Sequence, residues 1–324
     1  LTAIGSKRAE TVIGHNTQIS DGTPYEGYYT QDEARDIVEY ARQRHIVVVP
    51  EIDMPGHQLA ALAAMPNLGC TGGPYKVGTV WGVYDDILCL GNEDTYKFCE
   101  DVLSELIDIF PSEVIHIGGD EAPTVRVEHC PKCQALMQRE HLTPKNIQGY
   151  FTNRIEKFVN TKGRRIMGWD EIMDGDINTS AMVHCWRNPS FGIKAAQKGH
   201  DVVLSPTKYC YFDFYQANPR AVHEPLAIGG YLPVDSVYNM DTMPKDISPE
   251  NRKHIIGIQA NLWTEYIAVP NHAEYMLLPR MAALAENAWV KDRGPYSAFL
   301  PRLTRLKSLY DVYNLHYANH VWKK

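Results

Sequence analysis

Val114-Ile115-His116-Ile117-Gly118-Gly119-Asp120-Glu121-Ala122-Pro123 is a short apolar run that stops at two glycines and then presents two adjacent carboxylates. An apolar run closed by Gly-Gly reads as a strand ending in a turn. Asp120 and Glu121 then sit at the C-terminal end of that strand, where α/β folds gather their chemistry. The competing reading is a solvated acidic loop. The two glycines before the pair, and the aromatic residues elsewhere in the chain, weigh against it.

The flanks repeat one theme. Thr30 to Arg44 reads as a helix: Thr30 and Glu33 make a capping box, and Ala34, Ile37, Val38 and Ala41 share an apolar face. The β-branched run His45 to Pro50 follows at once and predicts a strand buried on both faces, as in a parallel sheet. It leads into the polar turn Glu51-Ile52-Asp53-Met54-Pro55-Gly56-His57. A long Gly-rich loop, Leu68 to Gly91, carries Trp81 and Tyr84, and its length marks it as functional. Thr95 to Phe110 is a second helix, with Phe98, Val102, Leu106 and Ile109 turned inward. Asn146 to Asn160 is a third, with Ile147, Phe151, Ile155 and Phe158 to the core.

Four more strands fit the same rhythm. Arg165 to Gly168 runs into Trp169, Ala181 to Cys185 into Trp186, Val202 to Leu204 towards Tyr211-Phe212-Asp213, and Ile255 to Ala260 into Leu262-Trp263-Thr264-Glu265. Phe191 to Lys198 reads as a short helix, and helices over Ala273 to Val290 and Tyr296 to Leu315 close the chain. No linker-like shift in composition interrupts residues 1–324, which predicts one domain.

Alternation of this kind builds a parallel sheet, either doubly wound or closed into a (β/α)8 barrel. The strand ends decide between them. His57, Asp120 with Glu121, Trp169, Trp186, Tyr211 with Asp213, and Trp263 with Glu265 all follow strands. A barrel brings every such end to one face, whereas an open sheet concentrates them at one switch point. Neither GxGxxG nor GxxxxGK[ST] occurs, which removes the nucleotide-binding open sheets. The predicted fold is a (β/α)8 TIM-type barrel with about six of its eight strands in this chain.

Composition narrows the function. A net charge of -7 without a basic cluster argues against nucleic acid as a partner. No apolar run reaches the roughly 18 residues of a membrane span. The sequence opens on Leu1-Thr2-Ala3-Ile4-Gly5 with no signal-peptide pattern. Seven cysteines are present. Cys130 and Cys133 form a lone CxxC, and without a second CxxC or a histidine pair its spacing does not read as zinc. Cys70 and Cys89 flank the Gly-rich loop and are expected to pair as a disulfide in an oxidising compartment. Cys99 and Cys185 read as small buried hydrophobes. No metal and no cofactor is expected.

Tryptophan, tyrosine and carboxylates together suit a sugar: aromatic faces cover its C–H surface and carboxylates accept from its hydroxyls. Cleaving a glycosidic bond takes a general acid plus a nucleophile or base. Neighbours on one turn point in different directions, so Asp120 and Glu121 do not make an acid and a nucleophile facing each other across a bond. One fits the leaving oxygen. The other would hold part of a substrate that attacks from within.

Gly27-Tyr28-Tyr29-Thr30, Pro50 to His57, His116 to Glu121, Gly168-Trp169, Tyr211-Phe212-Asp213 and Leu262-Trp263-Thr264-Glu265, in this order, resemble the glycoside hydrolase family 20 β-N-acetylhexosaminidases. The resemblance implies exo-acting, retaining release of terminal N-acetylglucosamine or N-acetylgalactosamine from β-linked glycans. The catalysis it implies is substrate-assisted, through an oxazolinium. It casts Glu121 as the general acid, Asp120 as the orienter of the acetamido group and Tyr211 as a hydroxyl donor to the acetamido oxygen. It makes Trp169, Trp186 and Trp263 pocket walls, Asp213 and Glu265 ligands of sugar hydroxyls, and His57 a neighbour tuning the acid. The expected setting is periplasmic or extracellular.

Family members also carry two strands before the point matching Leu1, one ending in arginine and one in His-x-His-x-x-Asp-Asp. Neither is in this sequence, so the domain is expected to be incomplete at its N-terminus. Ile228 stands where many members place a tryptophan. Two other function classes compete. One is a truncated or inactive homologue that binds N-acetylhexosamine without turnover. The other is a metal-dependent barrel hydrolase using His116 and His184; the lack of an accompanying HxH pair or bridging lysine weighs against it.

Overall fold

The computed structural model describes residues 1–15 and 17–322. The chain forms two compact units, one of Leu1–Ile13 with Thr17–His184 and one that takes up the chain from Cys185.

The first unit is built on parallel strands β1 (Val114–His116), β2 (Arg165–Trp169) and β3 (Met182–Cys185). Ile115 lies opposite Ile166 and Gly168 opposite Val183, so neighbouring strands keep a regular register. Ile115, Ile117, Ile166 and Val183 are all buried, and so is His116 between them. Strands enclosed on both faces need such near-continuous apolar runs.

Helix α1 (Gln31–Arg42) starts at the predicted capping box, with the Thr30 N–H donating to Glu33 and the Glu33 N–H to the Thr30 hydroxyl. Only Ala41 of its apolar face is fully buried, and Ile37 is exposed. The run after it is a correction. Residues 46–49 form no regular strand. Pairing with β1 begins only after them, through bonds from His116 N to Pro50 O (2.9 Å), Ile52 N to His116 O (3.1 Å) and Met54 N to Ile117 O (2.9 Å). Ile46 and Val47 stand exposed rather than buried, because no strand among the described residues covers the other edge. Helix α2 (Glu93–Ile109) buries Tyr96, Cys99 and Leu103 rather than the predicted face one residue away, whose members are half-buried.

Helices α3 (Pro131–Glu140) and α4 (Ile147–Thr161) complete the first unit. Ile147, Phe151 and Ile155 of α4 are buried as their spacing predicts. The loop 68–91 has no regular structure, yet its ends are pinned: Cys89 N donates to Leu68 O (2.7 Å) and Leu88 N to Pro55 O (3.0 Å). The expected Cys70–Cys89 disulfide is absent, and none of the seven cysteines is in a disulfide. Cys70 and Cys89 instead gather with Cys130 and Cys133. Cys99 and Cys185 are buried among apolar residues, as expected.

The second unit carries helix α5 (Pro189–Gln197) and parallel strands β4 (Val202–Leu204) and β5 (Ile255–Ile258). The pair is irregular between Val202 and Val203. The single helix predicted over residues 273–290 is two, α6 (Pro270–Leu277) and α7 (Arg280–Trp289). Pro279 separates them because it offers no N–H to continue the first. Helix α8 (Tyr296–Val312) follows, and Phe212, Tyr238, Ala283, Phe299 and Leu303 form a common core beneath these helices.

Candidate active site

The two glycines after β1 do separate work. Gly118 has φ of +67°, and a Cβ there would overlap the Asp53 carboxylate. Only glycine accepts that backbone and that neighbour together. The close approach lets Asp53 Oδ1 accept the Gly119 N–H at 2.9 Å. The Gly119 carbonyl is held from the other side by Gln148 Nε2 at 2.5 Å. The turn bearing Asp120 and Glu121 is thus fixed through both peptides that flank Gly119.

Two ordinary residues of the site also sit at positive φ, His57 at +52° and Glu121 at +46°. Each such placement costs about 1–3 kcal/mol and persists where the surroundings impose it. His57 Nε2 lies 3.4 Å from Glu121 Oε2 and 3.7 Å from Asp120 Oδ2. The bond to Glu121, and beyond it the charges of Asp53, Asp120 and Glu121, outweigh burial and lift the imidazole pKa to about 9. At neutral pH it is a cation between two acids.

Burial, and then the charge of Asp120, push the Asp53 carboxyl up to about 9. Burial raises Asp120 as well. Two half-buried carboxyls in contact cannot both ionise cheaply, so one proton is kept between them. It resides on Asp53, which donates to Asp120 and leaves Asp120 the anion. Asp120 Oδ1 is buried and has no hydrogen-bond partner among the described residues. A buried carboxylate oxygen left so is a place for a donor brought by a ligand.

Beneath this layer runs a second chain of contacts. Trp169 Nε1 donates to Glu51 Oε1 at 2.9 Å, and His116 Nδ1 lies 3.2 Å from the same oxygen. His116 Nε2 is 3.3 Å from His184 Nδ1, and Trp169 stacks on His184 at 4.2 Å between centroids. Burial holds His184 well below the ordinary histidine range, so it is neutral. Burial would raise Glu51, but the His116 and Trp169 contacts prevail and its pKa is lowered. Trp169 is only 2 % exposed, so most of its indole supports Glu51 and His184 rather than facing solvent.

In the second unit the segment after β4 carries Tyr211 and Asp213. The Phe212 N–H donates to Asn261 O at 2.7 Å, fixing the turn. Tyr211 is buried with its ring 6.1 Å from that of half-buried Trp186, and burial raises its hydroxyl pKa so that it stays a donor. Asp213 is 4 % exposed, its Oδ1 has no partner among the described residues, and burial lifts its pKa to about 7. Arg280 holds this turn from below. Fully buried, it donates to the carbonyls of Phe212, of Phe214 at 2.9 Å and of Leu232 at 3.1 Å. Trp263 is partly exposed and Glu265 exposed.

Of the residues expected from sequence, His57, Asp120, Glu121 and Trp169 belong to the first unit. Trp186, Tyr211, Asp213, Trp263 and Glu265 belong to the second. Sequence reading missed Asp53, Glu51 and Arg280. The first two were legible in principle: Glu51 and Asp53 are two apart at a strand end and so face one way.

A parallel β/α scaffold with an acid pair and aromatic residues at its strand ends is the arrangement that barrel glycosidases use. The profile of "Glycosyl hydrolase family 20, catalytic domain" matches residues 1–292. A β-hexosaminidase of Porphyromonas gingivalis is 40% identical over 320 residues, covering 98% of this chain and 40% of its own length. One from Vibrio furnissii is 36% identical over 266 residues, 80% of this chain and 43% of the relative.

Among solved structures, the exo β-N-acetylglucosaminidase of Vibrio harveyi in complex with N-acetylglucosamine superimposes with a TM-score of 0.83 at 32% identity. That match covers 98% of this chain and 50% of the other. A Streptomyces plicatus β-hexosaminidase variant with its product GlcNAc gives 0.78 at 30% identity, covering 96% and 58%. The chain belongs to glycosyl hydrolase family 20, and its fold class is the (β/α)8 barrel of that family. It spans about half the length, or less, of the curated relatives it matches.

Proposed function

We propose that the protein is an exo-acting, retaining β-N-acetylhexosaminidase that releases terminal GlcNAc or GalNAc by substrate-assisted catalysis. The observation that carries this reading is the pairing of a half-buried Asp120, whose Oδ1 is buried and unpartnered among the described residues, with an exposed Glu121 as the next residue. An acetamido N–H donated to Asp120 would satisfy that oxygen. It would also turn the acetamido carbonyl oxygen towards C1.

Glu121 then gives its proton to the glycosidic oxygen while the carbonyl oxygen attacks C1. The C1–O bond to the leaving alcohol breaks, and the positive charge that develops on the oxazolinium lies beside the Asp120 anion. In the second step the Glu121 carboxylate takes a proton from water. The water oxygen bonds to C1, the oxazolinium ring opens, and the product keeps the β configuration. His57, a cation 3.4 Å from Glu121, stabilises the carboxylate formed by the first step.

From the second unit, the family pattern gives the remaining roles. Tyr211 donates to the acetamido oxygen, Trp186 and Trp263 cover the sugar, and Asp213 and Glu265 accept from its hydroxyls. Trp169, being buried, acts mainly by positioning Glu51. The N-acetylglucosamine held in the similar Vibrio harveyi and Streptomyces plicatus structures supports an N-acetylhexosamine substrate.

Glu121→Gln keeps the shape and removes the proton. It is expected to lower turnover of an aryl N-acetylglucosaminide by about 10²–10⁴-fold, the usual worth of a positioned acid–base. Wild-type rates in that variant would overturn the assignment. A wild-type protein that binds a thiazoline inhibitor but releases no aryl alcohol would be a binding module instead.

A further inference from the structure

Cys70, Cys89, Cys130 and Cys133 come from three separate stretches of the first unit and bring their sulfurs within 4.8 Å of one another. Three of the separations are 3.6 Å for Cys89–Cys130, 3.7 Å for Cys89–Cys133 and 3.8 Å for Cys70–Cys133. A disulfide would need about 2.0 Å. A tetrahedral ion bound by thiolates at about 2.3 Å puts its sulfurs about 3.8 Å apart, the edge of that tetrahedron. The observed spacings are those edges.

The surroundings are shaped for the cluster. Cys89, Cys130 and Cys133 are buried, and Cys70 is half-buried. Cys130 caps α3 and Cys133 lies in its first turn, so the CxxC pair presents two sulfurs from one helix start. A Cβ on Gly91 would run into the backbone of Lys132 and Cys133, so only glycine lets the 89–91 turn close on that helix. The closeness puts the Gly91 N–H in a hydrogen bond to the Cys133 sulfur. The ion pair Arg126–Asp86, at 2.8 Å, ties the same two stretches a few residues away.

We propose that these four cysteines bind one Zn²⁺ as a closed tetrathiolate site. Soft thiolates in a tetrahedron select zinc over magnesium or calcium. Four protein ligands leave no open position, which marks a structural rather than a catalytic ion. Binding converts each thiol to a thiolate and releases its proton to solvent. The ion cross-links the long loop 68–91 to the segment that leads from Glu121 into α3. The lone CxxC lacked its partners in sequence because Cys70 and Cys89 lie 63 and 44 residues before Cys133.

The test is metal analysis of the purified full chain by inductively coupled plasma mass spectrometry, with thiol state read by alkylation and mass spectrometry. About one zinc per chain is expected, with the four cysteines protected from iodoacetamide until a chelator is added. Cobalt(II) replacing it should give the intense visible absorption of a tetrahedral thiolate complex. Cys133→Ser should lose the zinc. Cys70→Ser, at the more exposed corner, should bind it more weakly and expose the loop 71–85 to protease sooner. A metal-free protein with four readily alkylated thiols, a disulfide within the four, or iron in place of zinc would each overturn the proposal.

Discussion

Asp53 offers a sharp perturbation, because two substitutions of similar size divide its roles. Its carboxyl accepts from the Gly119 N–H at 2.9 Å and holds the proton shared with Asp120. Asp53→Asn keeps an acceptor for Gly119 and a donor for Asp120, so it copies the protonated acid. Asp53→Ala removes both. It leaves the Gly119 amide and the buried Asp120 carboxylate short of a partner, at about 1–3 kcal/mol each.

If the Asp120 share falls on the transition state, kcat/KM drops by about 5- to 150-fold at 1.4 kcal/mol per tenfold. The assay is kcat/KM for an aryl N-acetylglucosaminide from pH 5 to 9, beside denaturant unfolding over the same range. Asp53→Asn should stay within severalfold of wild type at neutral pH, and Asp53→Ala should not. The stability data carry their own sign. A carboxyl raised from 3.8 to about 9 binds its proton more tightly folded than unfolded. Its contribution is present below about pH 4 and is lost as pH rises towards 9. Asp53→Asn cannot ionise, so its stability relative to wild type should rise from pH 4 to pH 9. Equal activity losses in the two variants, or a stability difference independent of pH, would refute the shared-proton reasoning.

Two further outcomes follow from the same geometry. Gly118→Ala places a Cβ on the Asp53 carboxylate at positive φ, so it should lose at least about 1–2 kcal/mol in denaturant melts and most activity; wild-type stability would contradict it. Asp213, raised to about 7 by burial, contributes stability at low pH that fades as pH passes from about 4 through 7; Asp213→Asn should melt higher than wild type at pH 8 but not at pH 4, while binding sugar more weakly, and the reverse pH trend would exclude this state.

Much of the scaffold was legible because the rules that reveal it are local. Thr30 and Glu33 announce a helix start, and the Arg165, Met182 and Val202 strands are short apolar runs that end in aromatic or polar residues. Asp120 and Glu121 were legible for the same reason: Gly118 and Gly119 mark the strand end. What escaped depends on contacts across the chain. Asp53 matters through Gly119, 66 residues away, and Arg280 through carbonyls as far as 68 residues back. No periodicity encodes either. The exposed Val47 and Ile46 have the residue types of a doubly buried strand, and only the absence of a second strand neighbour among the described residues shows otherwise. The four cysteines escaped because a metal cage is a statement about three dimensions.

In the proposed mechanism the substrate's own acetamide is the nucleophile, held by Asp120 and assisted by Glu121. The measurement that reaches it most directly compares kcat/KM for two aryl β-glycosides that differ only at C2, one bearing an acetamido group and one a hydroxyl. The hydroxyl compound is expected to be hydrolysed orders of magnitude more slowly, since it has neither the attacking oxygen nor the N–H for Asp120. Comparable rates for the two would contradict it.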